Sequence, residues 1–572
     1  MEYQWFFKNR GDDKKVEALA QSLNISTANA RLLVQRGIET YDEAKTYFRP
    51  QLKDLHDPFL MKDMDIAVKR LTKAISENQK VLIYGDYDVD GTTSVALMYS
   101  FLKNITQNID YYVPDRDTEG YGISFKGIDY AKEQNCQLVI ALDCGIKANE
   151  KIDYAKKLDI DFIICDHHLP GKELPKATAI LDPKREDCHY PDKNLSGCGV
   201  GFKLAQAFAS KNSTAVEDTY SLLDLVTVSI ASDIVPVIGE NRILAYHGLK
   251  LLNHNPRVGL QSLIQVSNLS EKEIEISDIV FKIGPRINAA GRLQTARYSV
   301  DLLIEQDYAK AEENAIAINS INTERRDLDI NITQEAIDKI KNSEELIKRK
   351  STVLCNPNWH KGVVGIVASR LIEHFYRPTI ILTETDGILT GSARSVKGFN
   401  VYEAIDSCSD LLEGYGGHMY AAGLNLKKEN FEAFNQRFED YVAQTITPDQ
   451  LVPKIDVDLK INLSDINQKF YNIVKQMSPF GPGNMKPIFV SQKLYDSGKS
   501  KIVGKDASHL KLSVKQAENN TTIDGIAFSK AHCYENIKSK AFSLCFNLAE
   551  NEFMGRTSLQ LEVKEIQKCE EE

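Results

Sequence analysis

Short apolar runs alternate with helical periodicity in the first half of the chain. From Lys80 onward, aliphatic and β-branched residues form compact runs such as VLIY, QLVIAL and DFIIC, each ending at polar, glycine or proline residues. Between these runs, apolar residues recur every three or four positions, as in TTSVALMYSFLKN. Strands that alternate with helices predict a parallel sheet buried on both faces. We therefore predict an α/β domain over residues 76–305.

The flanking regions have different patterns. Residues 1–75 carry amphipathic helical periodicity without recognisable chemistry, and we interpret them as a helical covering segment. Residues 306–350 contain no glycine or proline and predict a long linker helix, although a helical hairpin fits equally well. A second α/β pattern occupies 351–448. Short strands separated by turn residues then fill 449–572, which predicts a small barrel or sandwich.

Composition describes an ordinary globular protein of several domains. The chain has 572 residues, 42% of them hydrophobic and 26% charged. No apolar stretch approaches the roughly 20 residues that cross a bilayer, and the first residues lack the apolar run of a signal peptide. The ten cysteines include no CxxC pair and predict reduced thiols. We therefore expect a cytoplasmic protein with no membrane partner.

Net charge argues at first against a nucleic-acid partner. The chain has 70 basic and 80 acidic residues, a formal charge of −10, whereas proteins that bind nucleic acid usually present a basic surface. The total, however, describes the whole surface, and a substrate meets only one groove. Lysine exceeds acidic residues over 486–530, so a local basic surface remains compatible with the sequence.

An acidic cluster follows the strand VLIY. In the segment 85–91, GDYDVDG, Asp86, Asp88 and Asp90 stand at alternate positions. An EF-hand calcium loop would need glutamate at the twelfth position, where this chain has Leu97, and a helix rather than a strand before it. Carboxylates this close repel one another and raise each other's pKa. We therefore expect a bound cation.

Three further acidic signals occur at the ends of apolar runs. Asp143 ends QLVIAL, the segment Asp166-His167-His168 ends DFIIC, and Asp233 ends a long apolar run. One such aspartate is usually a helix N-cap, and a lone histidine pair is usually structural. The carboxyl ends of parallel strands, however, meet at one edge of a sheet. Four coincident clusters in one domain therefore predict a metal site.

The types of ligand indicate which metal this site would hold. Oxygen donors with one or two imidazoles and no thiolate favour Mg²⁺ or Mn²⁺ over structural zinc. Five ionised aspartates would carry −5, which two divalent ions nearly neutralise. A pair of such ions is the arrangement that hydrolyses phosphate esters.

The motifs DYDVDG, LDCG, DHH and SDIVP, in this order, resemble the DHH phosphoesterase superfamily. Four further segments are similar to its RecJ family of single-strand-specific DNA exonucleases: GPRINAAGRL (284–293), WHKGVVGIVASR (359–370), GSARS (391–395) and GGHMYAAG (416–423). The similarity runs from about Leu52 to the C-terminal strands. It implies a parallel-sheet DHH catalytic domain, a long helix, a smaller α/β DHHA1 domain and a C-terminal OB-like β-barrel.

The resemblance also implies an activity: 5′→3′ hydrolysis of single-stranded DNA to 5′-mononucleotides, in recombination and repair. A monomer would act with single-strand-binding protein and a RecQ-type helicase. In the family, the motif carboxylates and the first histidine of DHH hold two Mn²⁺ or Mg²⁺ ions. The corresponding residues here are Asp86, Asp88 and Asp143 for one ion, and Asp90, Asp143, His167 and Asp233 for the other.

Two further residues of the DHH motif are implied in catalysis. His168 would contact the phosphate or protonate the leaving group, with Asp166 supporting it. Relatives in the superfamily often have histidine where this chain has Tyr84. Asp86 is then the expected substitute ligand.

Other motif residues are candidates for DNA contacts. Arg286, Asn288 and Arg292 could clamp a phosphate, or they could make structural pairs between domains. The resemblance implies that Ser392 and Arg394, with Arg116, bind the 5′-terminal phosphate. His360 and His418 either face the same cleft or are buried structural residues.

Two other functional classes share part of this pattern. A DHH phosphodiesterase for cyclic dinucleotides or very short oligonucleotides usually lacks the C-terminal barrel and the GPRINAAGRL segment. Here the segment is present, and the C-terminal strand pattern predicts the barrel. A catalytically inactive DNA-binding scaffold would have lost metal ligands, whereas this chain retains the whole set. We expect an exonuclease.

Overall fold

The computed structural model describes residues 3–212, 214–516, 521–538, 540–553 and 555–568. It begins with β1 (Gln4–Phe7), α1 (Asp13–Leu23), α2 (Thr27–Val34) and α3 (Tyr41–Phe48). Asp12, Ser26 and Thr40 cap the three helices through side-chain oxygens. Their apolar faces share a core with the C-terminal barrel, where Leu33 joins Phe489. Residues 3–48 therefore pack with the C-terminal region of the chain.

The first α/β domain follows. Its elements are α4 (Met64–Ser76), β2 (Lys80–Gly85), α5 (Val89–Lys103), β3 (Ile109–Tyr112), α6 (Phe125–Glu133), β4 (Cys136–Leu142), α7 (Asn149–Lys157), β5 (Asp161–Cys165), β6 (Ala179–Leu181), α8 (Gly197–Lys211), α9 (Leu223–Ser232), α10 (Gly239–His254), α11 (Val258–Val266), α12 (Ile276–Asp278), α13 (Gly284–Leu293) and α14 (Arg297–Ile304). The strands pair in the order β3-β2-β4-β5-β6, and all these pairings are parallel.

Alternate strand residues bury on opposite faces of this sheet. Ile83 and Ile140 pack with α4, α5, α8 and α9, whereas Leu82 and Val139 pack with α6 and α7. This two-sided burial explains why the strands are almost continuously apolar. Helix α4, in the segment predicted to be an N-terminal cover, belongs to this core. The predicted segment 1–75 is thus shared between two bodies.

A single helix, α15 (Tyr308–Lys341), connects the two α/β domains, and the short α16 (Glu344–Lys348) follows it. Asp307 caps α15 through the amides of Ala309 and Lys310. Of the two arrangements open from the sequence, the structure has the continuous helix. It packs on α11 and α13 of the first domain and on α17 of the second.

The second α/β domain is smaller. It contains β7 (Thr352–Cys355), α17 (Val364–His374), β8 (Thr379–Thr385), β9 (Ile388–Arg394), α18 (Val401–Asp406), β10 (Gly414–His418), β11 (Ala421–Lys427) and α19 (Phe431–Thr445). Its strand order is β10-β11-β9-β8-β7, parallel between β7 and β8 and otherwise antiparallel. The segment that precedes α17 contacts the first domain through the Gly362 carbonyl.

The C-terminal region forms a closed barrel. Its elements are β12 (Lys454–Val457), β13 (Leu459–Lys460), α20 (Gln468–Gln476), β14 (Phe489–Asp496), β15 (Lys501–Val503), β16 (His509–Gln516), β17 (Thr522–Ala527), α21 (Tyr534–Ile537), β18 (Phe542–Phe553) and β19 (Arg556–Lys568). Pairing of β14 with both β18 and β16 closes the circuit β14-β18-β19-β17-β16. Strand β12 instead pairs with β1.

Two sequence expectations concern the whole chain. Within the described residues, no helix combines the length and apolarity needed to cross a membrane. Nine cysteines are free thiols, and Cys569 lies outside the described residues.

Candidate metal centre

The loop after β2 presents the first carboxylates. Asp88 caps α5 by accepting a hydrogen bond from the amide of Gly91 at 3.0 Å. A Cβ at Gly91 would lie 2.3 Å from the carbonyl oxygen of Asp86, so only glycine lets the loop fold back this closely. The close turn holds Asp86, Asp88 and Asp90 at the carboxyl end of the sheet.

Asp90 is held by the start of another helix. Its carboxylate accepts hydrogen bonds from the amides of Gly197 at 2.7 Å and Cys198 at 2.8 Å, in the first turn of α8. The Ser229 hydroxyl donates a third bond at 2.7 Å. The positive end of the helix dipole also favours a carboxylate here. A Cβ at Gly197 would lie 2.5 Å from that of Asp143, so the same glycine leaves room for the next ligand.

Asp143 lies at the centre of the cluster. It adopts left-handed backbone geometry (φ 59°), and its amide donates to the Cys165 carbonyl at 2.8 Å. Its Oδ1 atom is buried and has no hydrogen-bond partner among the described residues. His167 Nε2 lies 3.2 Å from this oxygen, 3.6 Å from Asp233 Oδ2 and 3.7 Å from Asp90 Oδ2. The three strand ends and the end of α9 therefore converge, as the strand-end rule predicts.

Burial and mutual repulsion outweigh the compensating charges around these carboxylates. Burial, followed by the charge of Asp88, raises the pKa of Asp86 to about 8. Burial, followed by the charge of Asp90, likewise raises the pKa of Asp233 to about 8. The pKa of Asp143 is also raised, first by burial and then by the neighbouring aspartates. Each of these carboxyls would be stabilised in its ionised form by a cation.

The site fits divalent metal ions. Asp86 Oδ2, Asp143 Oδ1 and both ring nitrogens of His167 are buried without hydrogen-bond partners among the described residues. Burial lowers the pKa of His167, which favours the neutral imidazole that binds metals. Two groups of donor atoms could each surround an ion: Asp143, His167 and His168, and Asp90, His167 and Asp233. A set dominated by carboxylate oxygens matches Mg²⁺ or Mn²⁺.

Asp166 and His168 form a hydrogen-bonded pair beside the cluster. Asp166 Oδ1 lies 2.8 Å from His168 Nδ1, and its Oδ2 accepts from the Ile146 amide at 2.8 Å. Burial alone would raise the pKa of Asp166, but these bonds and the His168 charge lower it to about 2. Burial opposes the charged form of His168 as well, yet Asp166 raises its pKa. An imidazolium is therefore favoured beside the carboxylates.

Tyr121 is a site residue that sequence reasoning missed. Its hydroxyl donates to the Asp143 carbonyl at 3.1 Å and lies 3.1 Å from His168 Nε2. The neighbouring Gly122 amide donates to Asp86 Oδ1 at 3.1 Å. The sequence signal that could have found this residue is EGYG, in which two glycines flank Tyr121. Both glycines have positive φ in the structure, as expected for a tight turn that holds the tyrosine in place.

An arginine cluster lies next to the carboxylates. The Arg116 guanidinium lies 5.3 Å from the centroid of the Tyr87 ring, within the acidic loop. Burial, followed by the charges of Arg116, Arg325 and Arg394, lowers the pKa of Arg292 to about 9. Burial and Arg116 also lower the pKa of Arg394. Arg116 and Arg292 belong to the first α/β domain and Arg394 to the second. The charges that lower the pKa values of Arg292 and Arg394 are those of other arginines.

The second domain contributes two of the predicted residues to this cluster. Arg394 donates to the Ser392 hydroxyl at 2.7 Å. A Cβ at Gly365 would lie 3.0 Å from both side chains, so the first turn of α17 closely covers them. Arg292 crosses between the domains, donating to the Gly362 carbonyl at 3.1 Å.

The remaining candidates have different environments. Arg286 donates hydrogen bonds to Asn319 of α15 at 2.9 Å and to the Lys282 carbonyl at 2.7 Å. These bonds favour a structural role over a phosphate clamp. They join α13 to α15 and not to the second α/β domain. Asn288 lines a cavity of about 190 Å³ together with Arg292. His360 and His418 are both exposed, and their Nδ1 atoms accept backbone hydrogen bonds from Gly362 and Tyr420 respectively. The buried alternative therefore does not describe these two histidines.

Comparison with known proteins adds independent information. Residues 80–230 match the family model "DHH family, N-terminal domain", 349–444 match the DHHA1 domain and 457–565 match the RecJ OB domain. The single-stranded-DNA-specific exonuclease RecJ of Bacillus subtilis is 37% identical over 97% of this chain and 70% of its own length. The chain belongs to the RecJ family. RecJ of Haemophilus influenzae is 33% identical over 91% of this chain and 93% of its own.

A solved RecJ structure has the same fold. RecJ of Thermus thermophilus, in complex with Mn²⁺, matches 100% of this chain and 80% of its own with a TM-score of 0.84 at 24% identity. The predicted α/β architecture with a C-terminal OB-like barrel is thereby confirmed. The family assignment made from the motifs is confirmed as well.

Proposed function

We propose that this RecJ-family chain is a metal-dependent exonuclease that degrades single-stranded DNA in the 5′→3′ direction and releases 5′-mononucleotides. One observation carries the proposal. A cluster of buried, mutually repelling carboxylates adjoins a cluster of mutually repelling arginines, and Tyr87 lies between them. A strand end that brings a terminal phosphate to the arginines would bring its next phosphodiester towards the carboxylates.

Two divalent ions, Mn²⁺ or Mg²⁺, would supply the charge that activates water and stabilises the leaving oxygen. Asp86, Asp88 and Asp143 would hold one ion, and Asp90, Asp143, His167 and Asp233 would hold the other. The orphaned Oδ1 of Asp143 and its central location support its assignment to both ions.

His168 would act on the substrate directly. Asp166 fixes its Nδ1, so its Nε2, next to the Tyr121 hydroxyl, is the nitrogen available to a phosphate or a leaving group. Its hydrogen bond to Asp166 raises the pKa of the ring, and a protonated ring would donate that proton to the departing 3′-oxygen of the terminal nucleotide. Asp166 then stabilises the charged ring and orients it.

The arginine cluster would set the 5′→3′ direction of hydrolysis. Arg394 and Ser392, together with Arg116, would bind the 5′-terminal phosphate, since guanidinium groups match phosphate geometry. Arg292 and Asn288 line the adjoining cavity and would contact the following backbone. His360 and His418 are exposed in the same domain as Arg394 and would contact the strand.

The cellular role is proposed from the family resemblance. We expect a cytoplasmic monomer acting in recombination and repair, together with single-strand-binding protein and a RecQ-type helicase. The free cysteines agree with a reducing compartment.

The test is digestion of a long single strand labelled at its 3′ end, with 5′-phosphate or 5′-hydroxyl, in Mn²⁺ or Mg²⁺. We expect progressive shortening from the 5′ end, release of 5′-mononucleotides, and no cleavage of a circular single strand. Asp143→Asn serves as the inactive control. Loss of nucleotides from the 3′ end, or activity confined to dinucleotides, would refute the proposal.

A further inference from the structure

The segment that follows Asp233 leads directly to the C-terminal domain. Asp233 ends α9, and Ile234 then takes left-handed backbone geometry (φ 59°), which is rare for a β-branched residue. Residues 234–238, here called the strap, run from this point to the start of α10. Helix α9 fixes Asp233 from one side, and the strap determines how the chain leaves it on the other.

The strap is tied to a turn of the C-terminal region, residues 481–484. The Val237 amide donates to the Pro482 carbonyl at 2.7 Å. A Cβ at Gly481 would lie 2.4 Å from Val237 Cγ2, and one at Gly483 would lie 3.0 Å from Ile238 Cγ2. The two glycines therefore allow the turn backbone to contact the strap without an intervening side chain.

Arg242, in the first turn of α10, binds the backbone near the 481–484 turn and the end of α3. Its guanidinium donates five hydrogen bonds to backbone carbonyls: to Tyr47 at 3.2 and 3.0 Å, Met477 at 3.0 Å, Ser478 at 3.0 Å and Pro479 at 3.3 Å. It also stacks on the Tyr47 ring, 3.9 Å from its centroid. Only 5% of Arg242 is exposed, and no carboxylate among the described residues pairs with it.

A buried arginine whose charge is stabilised by carbonyl dipoles and one aromatic ring depends on having its acceptors in place. Those acceptors come from α3 and from the segment that precedes the 481–484 turn, whereas Arg242 belongs to the first α/β domain. Asn241, its neighbour, donates to the Pro236 carbonyl at 3.1 Å and so ties the strap to the same helix turn. The position of the strap therefore depends on how the N- and C-terminal regions dock.

We propose that Arg242 is a positioning residue for Asp233, and that the docked C-terminal region thereby sets the metal affinity of the catalytic centre. The inference rests on the proposed role of Asp233 as a metal ligand. Groups that orient metal ligands commonly change affinity by about 10–100-fold when they are altered. Arg242 would act from outside the centre, through the strap.

The main test is Mn²⁺ binding to the full chain without DNA, measured by calorimetry for the parent protein and for Arg242→Lys. The lysine keeps the charge but cannot reach all the carbonyls. We expect the affinity for Mn²⁺ to fall by about tenfold. The rate of hydrolysis at saturating Mn²⁺ should return to that of the parent.

Arg377→Lys is the matched control. Arg377 is 6% exposed and donates hydrogen bonds to Thr352 and to the backbone carbonyls of Ile347 and Arg349. Its guanidinium also lies over the Phe375 ring. All these partners belong to the second domain or to α16 and the turn that follows it. We expect this variant to lose a similar amount of thermal stability while its Mn²⁺ affinity stays unchanged. A merely structural role for Arg242 would make the two variants behave alike.

A second pair of variants tests the strap without the arginine. Gly481→Ala would push against Val237, whereas Gly414→Ala adds a methyl group where no atom lies within 4 Å. Only Gly481→Ala should weaken Mn²⁺ binding. If Arg242→Lys does not fold, the Mn²⁺ affinity of Gly481→Ala tests the inference in its place. Unchanged affinity in a folded Arg242→Lys or Gly481→Ala protein, or equal weakening in the controls, would overturn the inference. Failure of the parent to bind Mn²⁺ would instead overturn the proposed function, and the inference with it.

Discussion

The carboxylate and arginine clusters are opposite in charge but share one physical condition. Burial and like charge raise the pKa of Asp86 and Asp233 to about 8. The same two causes lower the pKa of Arg292 to about 9. A protein that buries like charges together stores an unfavourable energy that a ligand of opposite charge can relieve. The two clusters together therefore favour a cation site beside an anion site.

The clusters differ in how they are built. The carboxylates come from one domain, from strand ends and a helix end, and are fixed by backbone amides such as those of Gly197 and Cys198. The arginines come from a loop, from α13 and from β9 of the second domain. All ligands of the cation site thus belong to the first domain, whereas the residues of the anion site come together only when the two α/β domains dock.

The largest expected effect follows from removing the central carboxylate. Asp143→Asn should lower hydrolysis by about a thousandfold, since the charge that holds the metals is lost. Binding of single-stranded DNA should persist, because the arginine cluster is intact; fluorescence anisotropy measures it. In the metal-free protein the variant should also unfold at a higher temperature than the parent, because one repelling charge is gone. Normal turnover would remove Asp143 from the mechanism.

Removing an arginine from the anion site should weaken substrate binding and leave the metal site intact. Arg394→Ala should raise KM for a 5′-phosphorylated strand by about tenfold, as expected for loss of a charge-assisted hydrogen bond. The effect on a 5′-hydroxyl strand should be much smaller, and calorimetric Mn²⁺ affinity should not change. Equal KM values for the variant and the parent on the phosphorylated strand would contradict this assignment.

Stability should depend more steeply on pH while the carboxylates lack cations. Asp86 and Asp233 have pKa values of about 8 in the folded chain and about 4 when unfolded, so the folded state binds more protons between these values. The free energy of unfolding of the metal-free protein should therefore fall as pH rises from about 4 to about 8. Urea denaturation with chelator, repeated with saturating Mn²⁺, measures it. A pH dependence that Mn²⁺ does not reduce would argue against cation binding at this cluster.

The smallest effect on activity is expected at Arg286. Its guanidinium is occupied by Asn319 and by the Lys282 carbonyl. Arg286→Ala should lower the free energy of unfolding by about 1–3 kcal/mol and leave KM nearly unchanged. A rise in KM comparable to that of Arg394→Ala would instead favour the phosphate-clamp interpretation. Chemical denaturation and steady-state kinetics on the same preparation separate these outcomes.

Arg286 and Arg292 show why motif reading has a limit. Both lie in GPRINAAGRL, and the sequence offered the same two interpretations for each. The structure gives Arg286 partners in the scaffold, whereas Arg292 bonds to the Gly362 carbonyl of the second domain and lies near other arginines. The difference depends on which face of α13 contacts α15 and which faces the second domain, and a one-dimensional pattern does not specify that.

The α/β class and the set of clustered carboxylates could be predicted from local patterns in the chain. Parallel strands are recognisable from continuous apolar runs, and their carboxyl ends must share an edge, so Asp86, Asp143 and His167 could be brought together from the sequence alone. Periodicity also predicted the helical character of much of residues 13–48, although not the strand β1 that precedes them.

The partners of these elements could not be predicted in the same way, because they depend on long-range packing. An amphipathic helix specifies that it has an apolar face but not what that face will cover. The packing of α1–α3 on the C-terminal barrel, the hydroxyl of Tyr121 at His168 and the contacts of Arg242 all depend on long-range docking. Such contacts join residues far apart along the chain, and local propensity carries no information about them.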